Sequence, residues 1–227
     1  VGLPLAAAFG KYYKTIGYDI KDIRIKELNK HIDKTNELSS REIKASKYLK
    51  FTDNINEIES CNIYIICVPT PINKHKKPDF NPLISASNSI SKLISKNDYI
   101  IYESTVYPGA TREICIPILE KGSNLKLNRG FFCGYSPERI NPGDKEHTIE
   151  SIIKVVSGSN DKSANFISKL YSKIVSAGVH KAPNIETAEA AKVIENIQRD
   201  LNIALINELS VIFNKLNLDT NDILAAA

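Results

Sequence analysis

The sequence predicts an α/β fold in which a doubly wound parallel sheet is followed by a long connecting helix. Several apolar segments of strand length show no polar alternation, as expected for strands that are covered on both faces. Segments with helical spacing lie between them, and a longer helical pattern follows the last one. Strands that alternate with helices in this way are typical of a parallel sheet with helices on both faces.

The first elements are a helical pattern over residues 1–13 and a short strand over residues 14–20, which carries Asp19 near its end. Further strands are predicted at residues 62–68, 98–105, 130–136 and 152–158, with helices at residues 81–95, 111–121 and 162–176. A helix that leads into a strand ending in an acid is half of a nucleotide-binding unit.

A helical pattern without Gly or Pro extends from residue 185 to residue 216 and is longer than an ordinary globular helix. Another helix is predicted to start after an N-cap at Asp219 or Thr220. We therefore expect residues 1–184 to form a dinucleotide-binding domain, and residues 185–227 to form the long helix and the start of a helical dimerisation domain. The long helix offers an apolar stripe, which predicts a homodimer unless the stripe covers the chain's own sheet. The stripe consists of Ile203, Leu205, Ile206, Leu209 and Ile212.

The composition is that of a globular protein, with 42% hydrophobic and 25% charged residues. No apolar run approaches the roughly 20 residues of a membrane span, so we expect a cytoplasmic protein that does not bind membranes. The net charge of +4 is spread along the chain without a basic block among aromatics, which argues against a nucleic-acid partner. The four cysteines lack the CxxC pairing of zinc sites, which favours buried free thiols and no metal site.

Three residues near the N-terminus point to a dinucleotide. A glycine at the first turn lets the backbone approach a pyrophosphate, and Gly2 is the one such glycine here. Asp19 follows it near the offset of about 20 residues expected for an acid that binds a ribose hydroxyl, which favours NAD over NADP. Arg24 would either flank the adenine or attract a 2′-phosphate. Asp19 as an ordinary cap before a turn is the structural alternative.

Three further segments follow predicted strands, where open α/β sheets bind ligands. They are VPTPI at residues 68–72, ESTVYPG at residues 103–109 and YSPERINPG at residues 135–143. The hydroxyl of Thr105 is suited to a site near a nicotinamide or a reacting oxygen, and the carboxylate of Glu138 to holding a water or a sugar hydroxyl. Each segment alone is more often simple turn chemistry, but together on one edge they indicate a site.

Lys192 and Asn196 are the strongest indication of function in the chain. At positions i and i+4 of a helix they emerge on one face, so an ammonium and an amide can converge on one small ligand. Burial of a lysine among apolar residues disfavours its charged form, which makes its proton readily transferable. The alternative is a lysine that extends from an amphipathic helix to water.

Together, these motifs resemble the nucleotide-sugar dehydrogenases of the UDP-glucose/GDP-mannose dehydrogenase family. The motifs are GLPLA at residues 2–6, the acid Asp19, VPTP at residues 68–71, STVYPG at residues 104–109, YSPERINPGD at residues 135–144 and KVIENIQRD at residues 192–200. The resemblance implies a Rossmann-like sheet whose first strand would precede Val1, while the sugar-binding domain would follow Ala227. With no methionine at any position, the chain is expected to be an N-terminal fragment.

The resemblance implies NAD-dependent oxidation of the C6 hydroxyl of a UDP-sugar to a carboxylate. The segment YSPERINPGD resembles the corresponding segment in the branch of the family that oxidises UDP-N-acetylhexosamines for capsule and related surface polysaccharides. Lys192 and Asn196 would stabilise the oxyanion, while Thr105 and Glu138 would position water and assist proton transfer. The expected cofactor-binding residues are Gly2, Asp19, Arg24, Val68, Pro69, Thr70, Ser104 and Thr105.

The resemblance also sets limits on the chain and leaves alternatives open. The nucleophilic cysteine of the family would lie beyond the long helix, so residues 1–227 alone are expected to bind NAD weakly and to turn over no substrate. One alternative is a UDP-glucose 6-dehydrogenase, and another is a hydroxyacid dehydrogenase similar to 6-phosphogluconate dehydrogenase. A third is a non-catalytic dinucleotide-binding or assembly module.

Overall fold

The computed structural model describes residues 2–139 and 149–227. The chain divides into two compact units, Val1–Ala190 and Ala191–Ala227. The first unit is a mixed α/β structure, and the second consists of helical segments. The predicted division into domains after residue 184 stays a prediction.

The strands and helices follow the alternating order that the sequence predicts. The strands are β1 (Thr15–Tyr18), β2 (Leu49–Thr52), β3 (Ile63–Ile66), β4 (Tyr99–Tyr102), β5 (Phe132–Tyr135), β6 (Lys154–Gly158) and β7 (Val179–Lys181). The helices are α1 (Gly2–Gly10), α2 (Asp22–Asn29), α3 (Ser40–Ala45), α4 (Asn81–Ser91), α5 (Ile116–Ser123), α6 (Asp161–Tyr171), α7 (Ile185–Lys215) and α8 (Thr220–Ala226). A 3₁₀ turn at Ile55–Ile58 precedes β3, and a π-helical turn at Thr111–Cys115 leads into α5.

The strands form two sheets. β1 pairs with β2 in parallel, and the other five strands form one sheet in the order β3-β4-β5-β6-β7. The predicted doubly wound parallel arrangement is confirmed, with one exception: β6 runs antiparallel to β5. Parallel neighbours need a crossover, usually a helix, and residues 136–139 and 149–153 between these strands contain none.

Both faces of the larger sheet are covered, as β4 shows most clearly. Ile100 and Tyr102 pack into one hydrophobic cluster with Leu83 of α4, whereas Ile101 between them packs into a second cluster with Ile167 of α6. Successive strand residues point to opposite faces, so a strand that is apolar at every position must be buried on both. The unalternating segments in the sequence therefore predicted the buried strands correctly.

Four elements were absent from the sequence-based prediction, namely α2, α3, β2 and β7. Helix α2 is largely polar and buries only Ile25 and Leu28, so it lacks a strong apolar period. Helix α3 has six residues and depends on a capping box between Ser39 and Glu42. Short elements of this kind depend on tertiary contacts more than on their own pattern.

In the second unit, the later turns of α7 are followed by α8. The Asp219 side chain accepts hydrogen bonds from the backbone N–H groups of Asn221 and Asp222, and so caps α8. Within the described part of the chain, none of the helices combines the length and the apolar character needed to cross a bilayer.

Candidate functional site

The loops that follow β3 and β4 are joined by two side-chain hydrogen bonds. The Ser104 hydroxyl donates to the carbonyl oxygen of Val68 at 2.6 Å, and the Thr70 hydroxyl donates to the carbonyl oxygen of Thr105 at 2.7 Å. Parallel strands end at the same edge of a sheet, which brings residues 68–71 and 104–109 side by side. The structure therefore brings together two of the predicted ligand-binding segments.

The third loop and the first helix reach the same edge. The Tyr135 hydroxyl, at the end of β5, donates to the carbonyl oxygen of Ser104 at 3.1 Å. At the start of α1, a Cβ atom added to Gly2 would lie 3.3 Å from Cβ of Cys67, immediately after β3. A residue without a side chain allows this close approach, so the N-terminus of α1 lies at the strand ends, where a helix favours a phosphate.

Glu138 is buried beside an ion pair that sequence reasoning did not anticipate. The ammonium of Lys154 lies 3.0 Å from Oε2 of Glu103 and 3.8 Å from Oε2 of Glu138. The Tyr171 hydroxyl donates to the other oxygen of Glu103. Burial alone would lower the pKa of Lys154, but the carboxylates of Glu103 and Glu138 raise it above its usual value. Lys154 is therefore a buried cation between two acids.

A second buried acid, Glu189, holds the loop that follows β4. Its two carboxylate oxygens accept hydrogen bonds from the backbone N–H groups of Gly109, at 2.6 Å, and Thr111, at 3.0 Å. Burial raises the pKa of Glu189 above its usual value, while these hydrogen bonds act in the opposite direction. The first turns of α7 are thereby attached to the segment that carries Thr105.

Asp19 and Arg24 lie near the end of β1, and each has a local partner. The side chain of Asp19 accepts a hydrogen bond from the backbone N–H of Lys21 at 2.9 Å, as in an Asx turn. The guanidinium of Arg24 donates to the buried carboxylate of Asp33 at 2.6 Å and to the Thr35 hydroxyl at 3.2 Å. The position of Asp19 after β1 fits an acid that meets a ribose, whereas Arg24 is held by Asp33.

Lys192 and Asn196 lie one turn apart on α7, in the second unit. Within that unit, Nζ of Lys192 is 3.5 Å from Oε1 of Glu195, which also accepts from Arg199. The convergence of Lys192 and Asn196 with Thr105 and Glu138 stays a prediction.

The environments of the four cysteines do not favour a nucleophilic thiol. Burial raises the pKa of Cys115 to about 11 and raises the pKa of Cys61, Cys67 and Cys133. A thiol must ionise to act as a nucleophile, so these environments suppress that chemistry. From the sequence, too, no nucleophile was expected among these four cysteines.

Residues 1–175 match the NAD binding domain of the UDP-glucose/GDP-mannose dehydrogenase family, and residues 186–227 match its central domain. The chain belongs to the UDP-glucose/GDP-mannose dehydrogenase family. Both the resemblance inferred from the motifs and the expected NAD cofactor are thereby confirmed.

Three proteins show how similar the chain is to individual members of this family. It is 57% identical to the UDP-N-acetyl-D-glucosamine 6-dehydrogenase of Pseudomonas aeruginosa, covering 100% of the chain and 54% of that protein. It is 53% identical to the protein CapL of Staphylococcus aureus, covering 100% of the chain and 53% of that protein. The solved UDP-D-ManNAc dehydrogenase of Pyrococcus horikoshii superposes with a TM-score of 0.93 at 31% identity, covering 100% of this chain and 55% of that one. The chain spans about half the length of the curated relatives it matches.

Several residues around the candidate site were missed by sequence reasoning, notably Glu103, Lys154, Tyr171 and Glu189. One signal was present: Lys154 is a charge within the otherwise apolar strand segment IIKVVSG. A buried charge needs a partner, so this position alone indicated an unidentified acid nearby. Glu189 carried no such signal, because an acid near the start of a helix is common at the surface.

Proposed function

We propose that the protein carrying this chain oxidises the C6 hydroxyl of a UDP-N-acetylhexosamine to the uronic acid with NAD, for surface polysaccharide synthesis. The observation that carries the proposal is the single sheet edge at which the VPTP and STVYPG loops are hydrogen-bonded to each other. The 57% identity to a UDP-N-acetyl-D-glucosamine 6-dehydrogenase supports this substrate class.

The cofactor is held along this edge in the proposed function. The close packing of Gly2 against Cys67 fits a helix N-terminus that meets a pyrophosphate, and Asp19 binds the adenosine ribose. The VPTP loop and Ser104 line the path from there to Thr105. When bound, NAD supplies the acceptor for the hydride that leaves the sugar C6 carbon.

Four residues act on the sugar in this proposal. Thr105 and Glu138 orient water and assist proton transfer, because a hydroxyl and a buried carboxylate hold these positions at the strand ends. The ammonium of Lys192 and the amide of Asn196 stabilise the negative charge that develops on the C6 oxygen. Lys192 and Asn196 can share one ligand because they lie on one face of α7.

The alternatives differ in substrate or in chemistry. A UDP-glucose 6-dehydrogenase would use the same cofactor half, but the relatives at 53–57% identity include two named UDP-N-acetyl-D-glucosamine 6-dehydrogenases. A hydroxyacid dehydrogenase similar to 6-phosphogluconate dehydrogenase would also have the Lys-x-x-x-Asn pair. That assignment would not account for the VPTP and YSPERINPG loops. The proposed enzyme acts as a homodimer, and residues 1–227 alone turn over no substrate.

The test is an assay of NADH formation by the full-length protein with UDP-GlcNAc, UDP-GalNAc, UDP-ManNAc and UDP-glucose. We expect turnover of an N-acetylhexosamine substrate and a loss of kcat on the order of 100-fold in Lys192→Met, since a group that stabilises transition-state charge is removed. The matched control is Lys215→Met, at the far end of the same helix. Faster oxidation of UDP-glucose than of every N-acetylhexosamine would overturn the substrate assignment, and NADH formation by residues 1–227 alone would refute their inactivity.

A further inference from the structure

The buried cation Lys154 lies at an edge of the sheet that is otherwise built from strand ends. β6 runs antiparallel to β5, with Gly134 opposite Gly158 and Tyr135 opposite Ser157. Extending this register past the end of β5 places Glu138 opposite Lys154, and the two charged groups are 3.8 Å apart. The reversed direction of β6 therefore brings its first residue to the edge where β3, β4 and β5 end.

Glu103 and Tyr171 fix the position of Lys154. Its ammonium donates to Oε2 of Glu103 at 3.0 Å, and the second oxygen of Glu103 accepts from the Tyr171 hydroxyl on α6. Lys154 is 3% exposed and Glu103 is 2% exposed, so water does little to weaken their attraction. An ammonium has three donors, and one of them is committed to Glu103.

Two carboxylates, those of Glu103 and Glu138, lie within 4 Å of the ammonium of Lys154. Glu103 alone would neutralise Lys154, so a purely structural ion pair would not need Glu138. Cys67, Tyr171 and Arg139 also lie around the cluster, and burial raises the pKa of Cys67 and of Tyr171, which keeps both groups neutral. The backbone N–H of Arg139 donates to Oε1 of Glu138 at 2.7 Å and orients the carboxylate.

We propose that Lys154 is a positioning residue for Glu138, whose carboxylate it holds in place and orients toward the reacting end of the sugar. This inference rests on the proposed function, in which Glu138 positions water and assists proton transfer. Glu103 and Tyr171 hold Lys154 in place, and Lys154 in turn supplies the positive charge that a buried carboxylate needs. Lys154 itself contacts neither the sugar nor NAD in this scheme.

The test compares variants of the full-length enzyme in kcat and in KM for NAD. In Lys154→Met, kcat should fall by at least about tenfold, because the carboxylate of Glu138 loses the cation that orients it. Lys154→Arg should restore much of the activity, since it keeps the charge. KM for NAD should change less than about twofold, because Lys154 does not contact NAD and its replacement leaves the binding of NAD unaltered.

A double variant distinguishes a loss of function from misfolding. Lys154→Met leaves two buried carboxylates uncompensated, so Lys154→Met combined with Glu103→Gln removes one of those charges and retains Glu138. This double variant should fold, as judged by circular dichroism, and should keep the low kcat of Lys154→Met with a nearly unchanged KM for NAD. The control is Lys162→Met, an exposed lysine whose ammonium lies 4.6 Å from the centroid of the Phe132 ring, and it should match the wild type.

The outcomes separate the two proposals. A folded double variant with the kcat of the wild type would show that Lys154 serves stability alone and would overturn the inference, while the wild type still oxidised its substrate. A wild-type enzyme that oxidised none of the UDP-sugars would overturn the proposed function and, with it, the role given to Lys154.

Discussion

Oε2 of Glu189 accepts a hydrogen bond of 2.6 Å from the backbone N–H of Gly109, which has a left-handed φ of +102°. Oε1 accepts from the N–H of Thr111, where the helical turn before α5 begins. A carboxylate at the start of a helix satisfies donors that have no partner within the helix. Glu189 thus shapes the end of the segment that starts with Ser104 and Thr105.

Replacing Glu189 with Ala should destabilise the protein and displace this loop. Two buried N–H groups would lose a charged acceptor, at a cost of roughly 3 kcal/mol in the free energy of unfolding. Urea denaturation measures the loss, and kcat should fall with it because Thr105 moves. The control is Glu186→Ala, one turn earlier in α7, whose surface pair with Arg112 is worth about 0–1 kcal/mol. Equal effects of the two substitutions would contradict the role given to Glu189.

Asp33 should make the stability of the protein depend on pH. Burial alone would raise its pKa, but hydrogen bonds from Thr35, Leu38 and Arg24 outweigh burial and hold the pKa well below its usual 3.8. An acid with a depressed pKa in the folded state stabilises the protein above its unfolded pKa, and that stability is lost as the pH falls through the folded value.

Asp33→Asn should therefore lower the free energy of unfolding by roughly 2 kcal/mol at pH 7, and the difference from the wild type should shrink as the pH falls below 3.8. Urea denaturation at pH 7, 4 and 3 measures the trend. The exposed acid Asp22, paired with Lys26, provides the control Asp22→Asn, for which we expect little change. A difference that stayed constant across this pH range would show that the charge of Asp33 is irrelevant.

Asp19 should determine the choice between NAD and NADP. Asp19→Ala removes the proposed partner of the ribose hydroxyls, and the affinity of the full-length enzyme for NAD should fall on the order of tenfold while NADP binds relatively better. Fluorescence titration with NAD and NADP measures both affinities. Asp22→Ala, three residues later, should change neither. An unaltered preference in Asp19→Ala would argue for the alternative, in which Asp19 merely caps a turn.

An apolar face of α7 should hold the proposed homodimer together. Five residues spaced by three, four or seven positions share that face, and each is at least 50% exposed: Ile194, Ile197, Leu201, Leu205 and Ile212. The face overlaps the predicted stripe at Leu205 and Ile212, but Ile206 and Leu209 are less exposed. The exposed apolar face therefore extends over more of the length of the helix than the predicted stripe does.

A charge on this face should break the dimer. Leu205→Glu in the full-length protein places a carboxylate in an apolar interface, and light scattering should then report a monomer at concentrations where the wild type is dimeric. Asn207→Glu, on a different side of the helix, should leave the dimer intact. A wild type that is monomeric throughout would refute the dimer.

The features that local sequence could predict are those that depend on residues close together in the chain. The unalternating strands, the offset from Gly2 to Asp19 and the STVYPG loop each have a short-range physical reason, and the strands and the joined loops are present in the structure. The pairing of Glu103 with Lys154 spans 51 positions and depends on the direction of β6, which no local pattern encodes. The pairing of Arg24 with Asp33 was not predicted, because Asp33 lies in a polar segment without a recognisable period, and the cofactor role of Arg24 stays a prediction.

The reversal of one strand also limits how this sheet can change. Side chains alternate between the two faces of a strand, so a slip of β6 by a single position against β5 would turn the Lys154 ammonium away from both acids. Insertions of one residue within β6 should therefore be tolerated far less well than insertions in the polar turn at residues 73–79.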